Sequence, residues 1–81
     1  MEKILYADDE ESIREIIKDI LSKEGYEVIL AKDGNEALNL SKKNLPDLII
    51  LDFLMPGLNG VEVCKALQKD DQTKSIPIIM V

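Results

Sequence analysis

Ile4-Leu5-Tyr6-Ala7-Asp8-Asp9 and Leu48-Ile49-Ile50-Leu51-Asp52 are short apolar runs, each ending in carboxylate. An apolar run of this length, bounded by polar residues, reads as a strand of a parallel sheet covered on both faces. Ligands of such sheets bind beyond the carboxyl ends of the strands, so Asp8, Asp9 and Asp52 point toward the expected site. Like charges held close together repel and raise one another's pKa unless a cation neutralises them. The cluster therefore predicts a hard, oxygen-seeking divalent ion, with magnesium the leading candidate.

Outward from these runs the periodicity alternates between strand and helix. Ile13, Ile16, Ile17, Ile20 and Leu21 recur at the three-and-four spacing of one helix face. Asp9 can cap that helix, and Gly25 suits a left-handed stop after Ser22-Lys23-Glu24. Residues 26–31 read as a second strand around Val28, Ile29 and Leu30. Lys32-Asp33-Gly34-Asn35 reads as a turn in which glycine is free to take positive φ. A shorter helix is expected over about 36–43, stopping before Leu45-Pro46-Asp47. Beyond Asp52, residues 53–60 form a loop punctuated by Pro56, Gly57 and Gly60. A third helix over about 60–68 places Val63, Cys64 and Leu67 on one side, with Cys64 a small core residue. Residues 70–75 are a polar connection, and 76–81 start a fourth strand with Pro77 near its beginning. The order βαβαβαβ predicts an α/β fold with right-handed crossovers and a parallel sheet.

Composition narrows the function classes. With 81 residues, 46% hydrophobic and 32% charged, the chain suits one small globular domain. Its apolar stretches are far short of a membrane span, and Met1 leads straight into the first strand pattern without room for a signal peptide. A single cysteine, Cys64, forms no intramolecular disulfide, so a cytoplasmic location is expected. The net charge of −6 argues against direct nucleic-acid binding, and Lys42-Lys43 is the only adjacent basic pair. The chain has no histidine, so phosphohistidine or imidazole chemistry must come from another molecule.

Asp8-Asp9 after the first strand, Asp52 after the third, Met55-Pro56 beyond it and Gly60 opening the next helix resemble the receiver domain of bacterial two-component response regulators. The similarity runs over all 81 residues. It implies a flavodoxin-like three-layer fold with strand order 2-1-3-4, the first and third strands flanking the switch point. It also implies phosphoryl transfer without turnover of an outside substrate, so the chain is not expected to be an enzyme. Asp52 resembles the acceptor of a phosphoryl group from a histidine kinase or histidine phosphotransfer protein. Asp9 and Asp52 resemble direct Mg2+ ligands, joined by the backbone carbonyl of Leu54, and Asp8 resembles the carboxylate that holds metal-bound water.

The family pattern continues with a Ser or Thr after the fourth strand and a Lys after a fifth. Residues 1–81 therefore read as a partial receiver domain, lacking the last helices and fifth strand. On that reading part of the Ile13–Leu21 stripe and the edge of the fourth strand are exposed, which favours a homo-oligomer. The alternative is a folding or design fragment of a receiver domain, self-associating and without phosphotransfer activity. A haloacid-dehalogenase-type phosphohydrolase would need a second Asp two residues after its nucleophile, whereas Phe53 and Leu54 follow Asp52, and Asp9 and Glu10 follow Asp8. A flavodoxin-like cofactor binder is disfavoured too, because Asp8-Asp9-Glu10-Glu11 would repel a phosphate.

Overall fold

The computed structural model describes residues 2–53, 55 and 57–81. Seven elements follow one another: β1 (Lys3–Ala7), α1 (Glu11–Lys23), β2 (Glu27–Ala31), α2 (Gly34–Asn44), β3 (Leu48–Leu51), α3 (Gly60–Lys69) and β4 (Ile78–Met80). The strands form one parallel sheet in the order β2-β1-β3-β4. Right-handed crossovers in that order carry α1 to one face and α2 and α3 to the other.

Period-two alternation divides β1 between these faces. Leu5 and Ala7 join Ala31, Ile49 and Leu51 in a core with Ala37 of α2 and Val63 and Leu67 of α3, all fully buried. Each large apolar side chain so buried contributes about 1.5–3 kcal/mol against exposure. The intervening residues Ile4 and Tyr6 are also buried. Helix α1 has no buried residue, and its Ile16 and Ile20 remain more than half exposed. Ile79 and Met80 of the edge strand β4 are exposed as well.

Several boundaries differ from the sequence expectation, each for a local reason. Helix α2 starts two residues early, because the Asp33 carboxylate accepts the Glu36 N–H at 2.8 Å and caps it. Gly34 is thus the first helical residue rather than a turn residue of positive φ. The cap residue of α1 is Glu10, not Asp9, and its side chain makes no cap hydrogen bond. The Glu10 N–H is taken instead by Asp8 Oδ1 at 3.0 Å. Strand β4 begins at Ile78, after Pro77, although the Pro77 carbonyl already accepts the Ile49 N–H at 3.0 Å. Cys64 is half-buried, outside the core that Val63 and Leu67 enter.

Helix α1 closes at Gly25 as its sequence predicts, and α3 opens with a capping box that the sequence reading did not single out. Gly25 has φ +93°, with its N–H on the Ser22 carbonyl at 3.0 Å and the Tyr26 N–H on Leu21 at 3.2 Å. This paired closure is a Schellman motif, in which glycine takes the left-handed position. Asn59 and Glu62 cap α3 reciprocally, at 3.0 and 3.2 Å.

Candidate metal and phosphoryl site

Pairing register creates the site. Ala7 lies opposite Leu51, so β1 and β3 end on the same rung and the next residues, Asp8 and Asp52, emerge side by side. The backbone locks this: Asp52 N–H donates to the Ala7 carbonyl at 2.9 Å, and Asp8 N–H to the Ala31 carbonyl at 3.1 Å. Asp8, Asp9 and Asp52 each offer one carboxylate oxygen, and these oxygens all lie within 4.8 Å of one another. The cluster is graded in exposure: Asp8 is buried, Asp52 half-buried and Asp9 open to solvent.

Asp8 is held at both carboxylate oxygens and at its backbone carbonyl. Its Oδ2 accepts the Tyr6 hydroxyl at 2.8 Å, its Oδ1 the Glu10 N–H, and its backbone carbonyl accepts Arg14 at 2.8 Å. The Tyr6 phenol is pushed up to about 12, first by burial and then by its hydrogen bond to Asp8. The charges of Asp8, Asp52 and Glu10 add to that shift. Tyr6 and Arg14 are site residues that sequence reading missed. The available signal for Tyr6 was its spacing, since residues i and i+2 of a strand share a face.

The donor set suits a hard divalent cation. It contains only carboxylate oxygens, the donors such ions take, and they converge from the ends of two adjacent strands. A softer metal would call for His or Cys, whereas the chain has no histidine and Cys64 lies on α3. The expected fourth donor, the Leu54 carbonyl, lies outside the described residues. Met55, in the same loop, is buried in the core.

Behind the cluster, the start of α3 closely approaches the segment just past β3. A β-carbon on Gly60 would stand 3.0 Å from the Asp52 carbonyl and 3.2 Å from the Phe53 α-carbon. The Gly60 N–H reaches the Phe53 carbonyl at 3.2 Å, tying the start of α3 to the segment just past Asp52.

Residues 4–81 match the family model of the response regulator receiver domain. The chain belongs to this family. It is 51% identical over 79 residues to the probable transcriptional regulator ycf27 of Guillardia theta. It is 49% identical over 78 residues to the alkaline phosphatase synthesis transcriptional regulatory protein PhoP of Bacillus subtilis (strain 168). These alignments take in 98% and 96% of the chain but only 30% and 32% of the relatives. The chain thus spans about a third of the curated relatives it matches.

Solved receiver structures superpose closely. The chemotaxis protein CheY4 of Vibrio cholerae matches with TM-score 0.93 and 44% identity, covering 99% of this chain and 67% of that one. The signal receiver domain of a signal transduction histidine kinase from Syntrophus aciditrophicus also gives 0.93, with 33% identity, covering 100% and 61%. These likenesses agree with the flavodoxin-like strand order 2-1-3-4 seen in this receiver domain. No helix among its described residues is long and apolar enough to cross a membrane.

Proposed function

We propose that this receiver domain is a phosphoacceptor module whose Asp52 takes a phosphoryl group from a phosphohistidine in the presence of Mg2+. The observation that carries the reading is the convergence of Asp8, Asp9 and Asp52 within 4.8 Å at the ends of adjacent strands. Asp9, Asp52 and the Leu54 carbonyl would hold the ion directly, with Asp8 acting through metal-bound water. When bound, the ion neutralises charge on the phosphoryl oxygens, without which a carboxylate attacks an anionic group poorly.

The residues of the chain divide the remaining work. One Asp52 oxygen attacks phosphorus, a P–O bond forms, and the P–N bond of the donor breaks. The imidazole leaves with the bonding pair and takes up a proton. The donor is a phosphohistidine outside residues 1–81, on a histidine kinase or a phosphotransfer protein, because these residues include no histidine. The Syntrophus aciditrophicus neighbour, a receiver domain within a histidine kinase, supports this pairing of modules. No outside substrate is turned over, so the module acts as a switch and not as an enzyme. Its acidic balance, −6, fits a cytoplasmic signalling role without direct DNA contact by this domain.

The test is incubation with a small-molecule phosphoryl donor and Mg2+, read by intact mass. The expected result is one phosphoryl adduct that hydroxylamine removes, absent in Asp52→Asn and in chelator. Failure to form it, in protein shown by NMR to be folded, would leave the alternative of a receiver fold without phosphotransfer.

A further inference from the structure

We propose that the Tyr6 hydroxyl is a positioning group for the metal site, holding the Asp8 carboxylate in the orientation that presents an oxygen to the cluster. The inference rests on the Mg2+ reading above, and it concerns a residue that the strand itself does not require.

Tyr6 lies within β1, buried beside Ile4, where an aliphatic or phenyl side chain would serve the strand and its packing equally. A buried hydroxyl is costly unless it finds a partner. Here it finds one, Asp8 Oδ2 at 2.8 Å, two residues along the same strand face. Oδ1 of the same carboxylate accepts the Glu10 N–H at 3.0 Å, and Arg14 holds the Asp8 carbonyl at 2.8 Å. Asp8 is thereby fixed at both carboxylate oxygens and at its backbone, while Asp9 is exposed. In this fixed arrangement Asp8 still offers an oxygen within 4.8 Å of those of Asp9 and Asp52. The hydroxyl therefore preserves a binding-competent geometry. Outer groups of this kind orient the carboxylates around a metal, here the one that would hold metal-bound water, and their loss costs metal affinity.

The experiment is a Mg2+ titration of the protein followed by NMR, including the side-chain carboxyl 13C signal of Asp8. It compares the unaltered protein with Tyr6→Phe, Tyr6→Ile and, as a control remote from the site, Tyr26→Phe. Removing the hydroxyl is expected to weaken Mg2+ binding about tenfold, the low end for such groups because the Glu10 N–H still holds Oδ1. Tyr26→Phe should leave affinity unchanged. The phosphorylation rate of Tyr6→Phe, in protein shown by NMR to be folded without Mg2+, should fall at low Mg2+ and recover at saturating Mg2+. In an Asp8→Asn background, removing the hydroxyl should change Mg2+ affinity no further.

Equal affinity in the unaltered protein and a folded Tyr6 variant would overturn the positioning role and leave the receiver reading intact. An undiminished effect of Tyr6→Phe in the Asp8→Asn background would overturn it too, since the hydroxyl would then act elsewhere. Absence of saturable Mg2+ binding in the unaltered protein would overturn both the site and the role of Tyr6.

Discussion

Gly34 opens α2 against the backbone carbonyl of Leu58, so closely that a β-carbon at Gly34 would overlap it. Leu58 belongs to the segment between β3 and α3, downstream of Asp52. The contact therefore seats part of that segment on the start of α2. Gly34→Ala should destabilise the domain by about 1–3 kcal/mol, the range for forced overpacking. The comparison with Gly25 separates the two uses of glycine. Gly25 has φ +93° and open space around its missing β-carbon. Asn tolerates the left-handed region better than Ala does. Denaturant unfolding should therefore rank Asn above Ala at Gly25, and Ala above the bulkier Asn at Gly34. The same ranking at both sites would show that backbone conformation, and not Leu58, decides Gly34.

The element order and the carboxylate cluster were legible because both depend on short-range pattern. Apolar runs ending in Asp fixed where β1 and β3 stop, and the register Ala7 opposite Leu51 follows once they pair. Less legible were features decided by a single hydrogen bond. Asp33-Gly34-Asn35-Glu36 has the spacing of a helix cap, yet glycine and asparagine make it read equally as a turn. Asp9 reads as the cap of α1 because aspartate is a preferred capping residue, whereas Asp8 takes the Glu10 N–H and the helix starts one residue later. Tyr6 reads from sequence as core, and its hydroxyl acquires meaning only when the phenol is seen to reach Asp8. Gly34 was misread because the reason for glycine lies 24 residues away, at Leu58.

Stability at high pH should report on Tyr6. Its phenol is raised from 10.0 to about 12 in the folded state, principally by burial and then by the bond to Asp8. The folded protein therefore holds this proton more tightly than the unfolded chain. That preference contributes stability fully below pH 10.0 and loses it as pH rises through about 12. Urea midpoints measured across this window should fall more steeply for the unaltered protein than for Tyr6→Phe. Parallel curves would mean that the phenol does not titrate differently on folding.

Two buried hydroxyls in the helical layer should respond in opposite directions. Thr73 Oγ1, 1% exposed as a residue, donates to the Leu67 carbonyl at 2.6 Å, joining the turn after α3 to its last helical turn. Ser41 Oγ on α2 is buried without a hydrogen-bond partner among the described residues. Thr73→Val removes this bond while the Leu67 carbonyl keeps the Asp70 N–H at 3.3 Å, so it should cost about 0.5–1.5 kcal/mol. Ser41→Ala removes an unsatisfied group and improves helix propensity, so it should stabilise by about 0.5–1 kcal/mol. Thermal melts of the two variants on either side of the unaltered protein would bear this out. A loss of stability in Ser41→Ala would indicate that the hydroxyl has a partner, such as a water molecule.

Asp52→Asn should separate the cost of the carboxylate cluster from its use. Three carboxylates with oxygens within 4.8 Å repel one another whenever no cation is bound. Replacing one by an amide of the same shape removes that repulsion, so the metal-free variant should be more stable by about 0.5–1 kcal/mol at low ionic strength. That range is an order of magnitude for half-buried charges, and added salt should narrow the difference. Mg2+ should reverse the ranking. A ligand bound by the folded state alone stabilises by mass action, about 2.7 kcal/mol at a hundred times Kd. The unaltered protein should gain this increment, while Asp52→Asn, lacking one anionic oxygen donor, should gain little at the same Mg2+ concentration. Unfolding curves with and without Mg2+ for both proteins therefore carry the prediction in the crossing of their order. Were Asp52→Asn the less stable protein in chelator, a favourable interaction of the Asp52 carboxylate would outweigh its repulsion by Asp8 and Asp9.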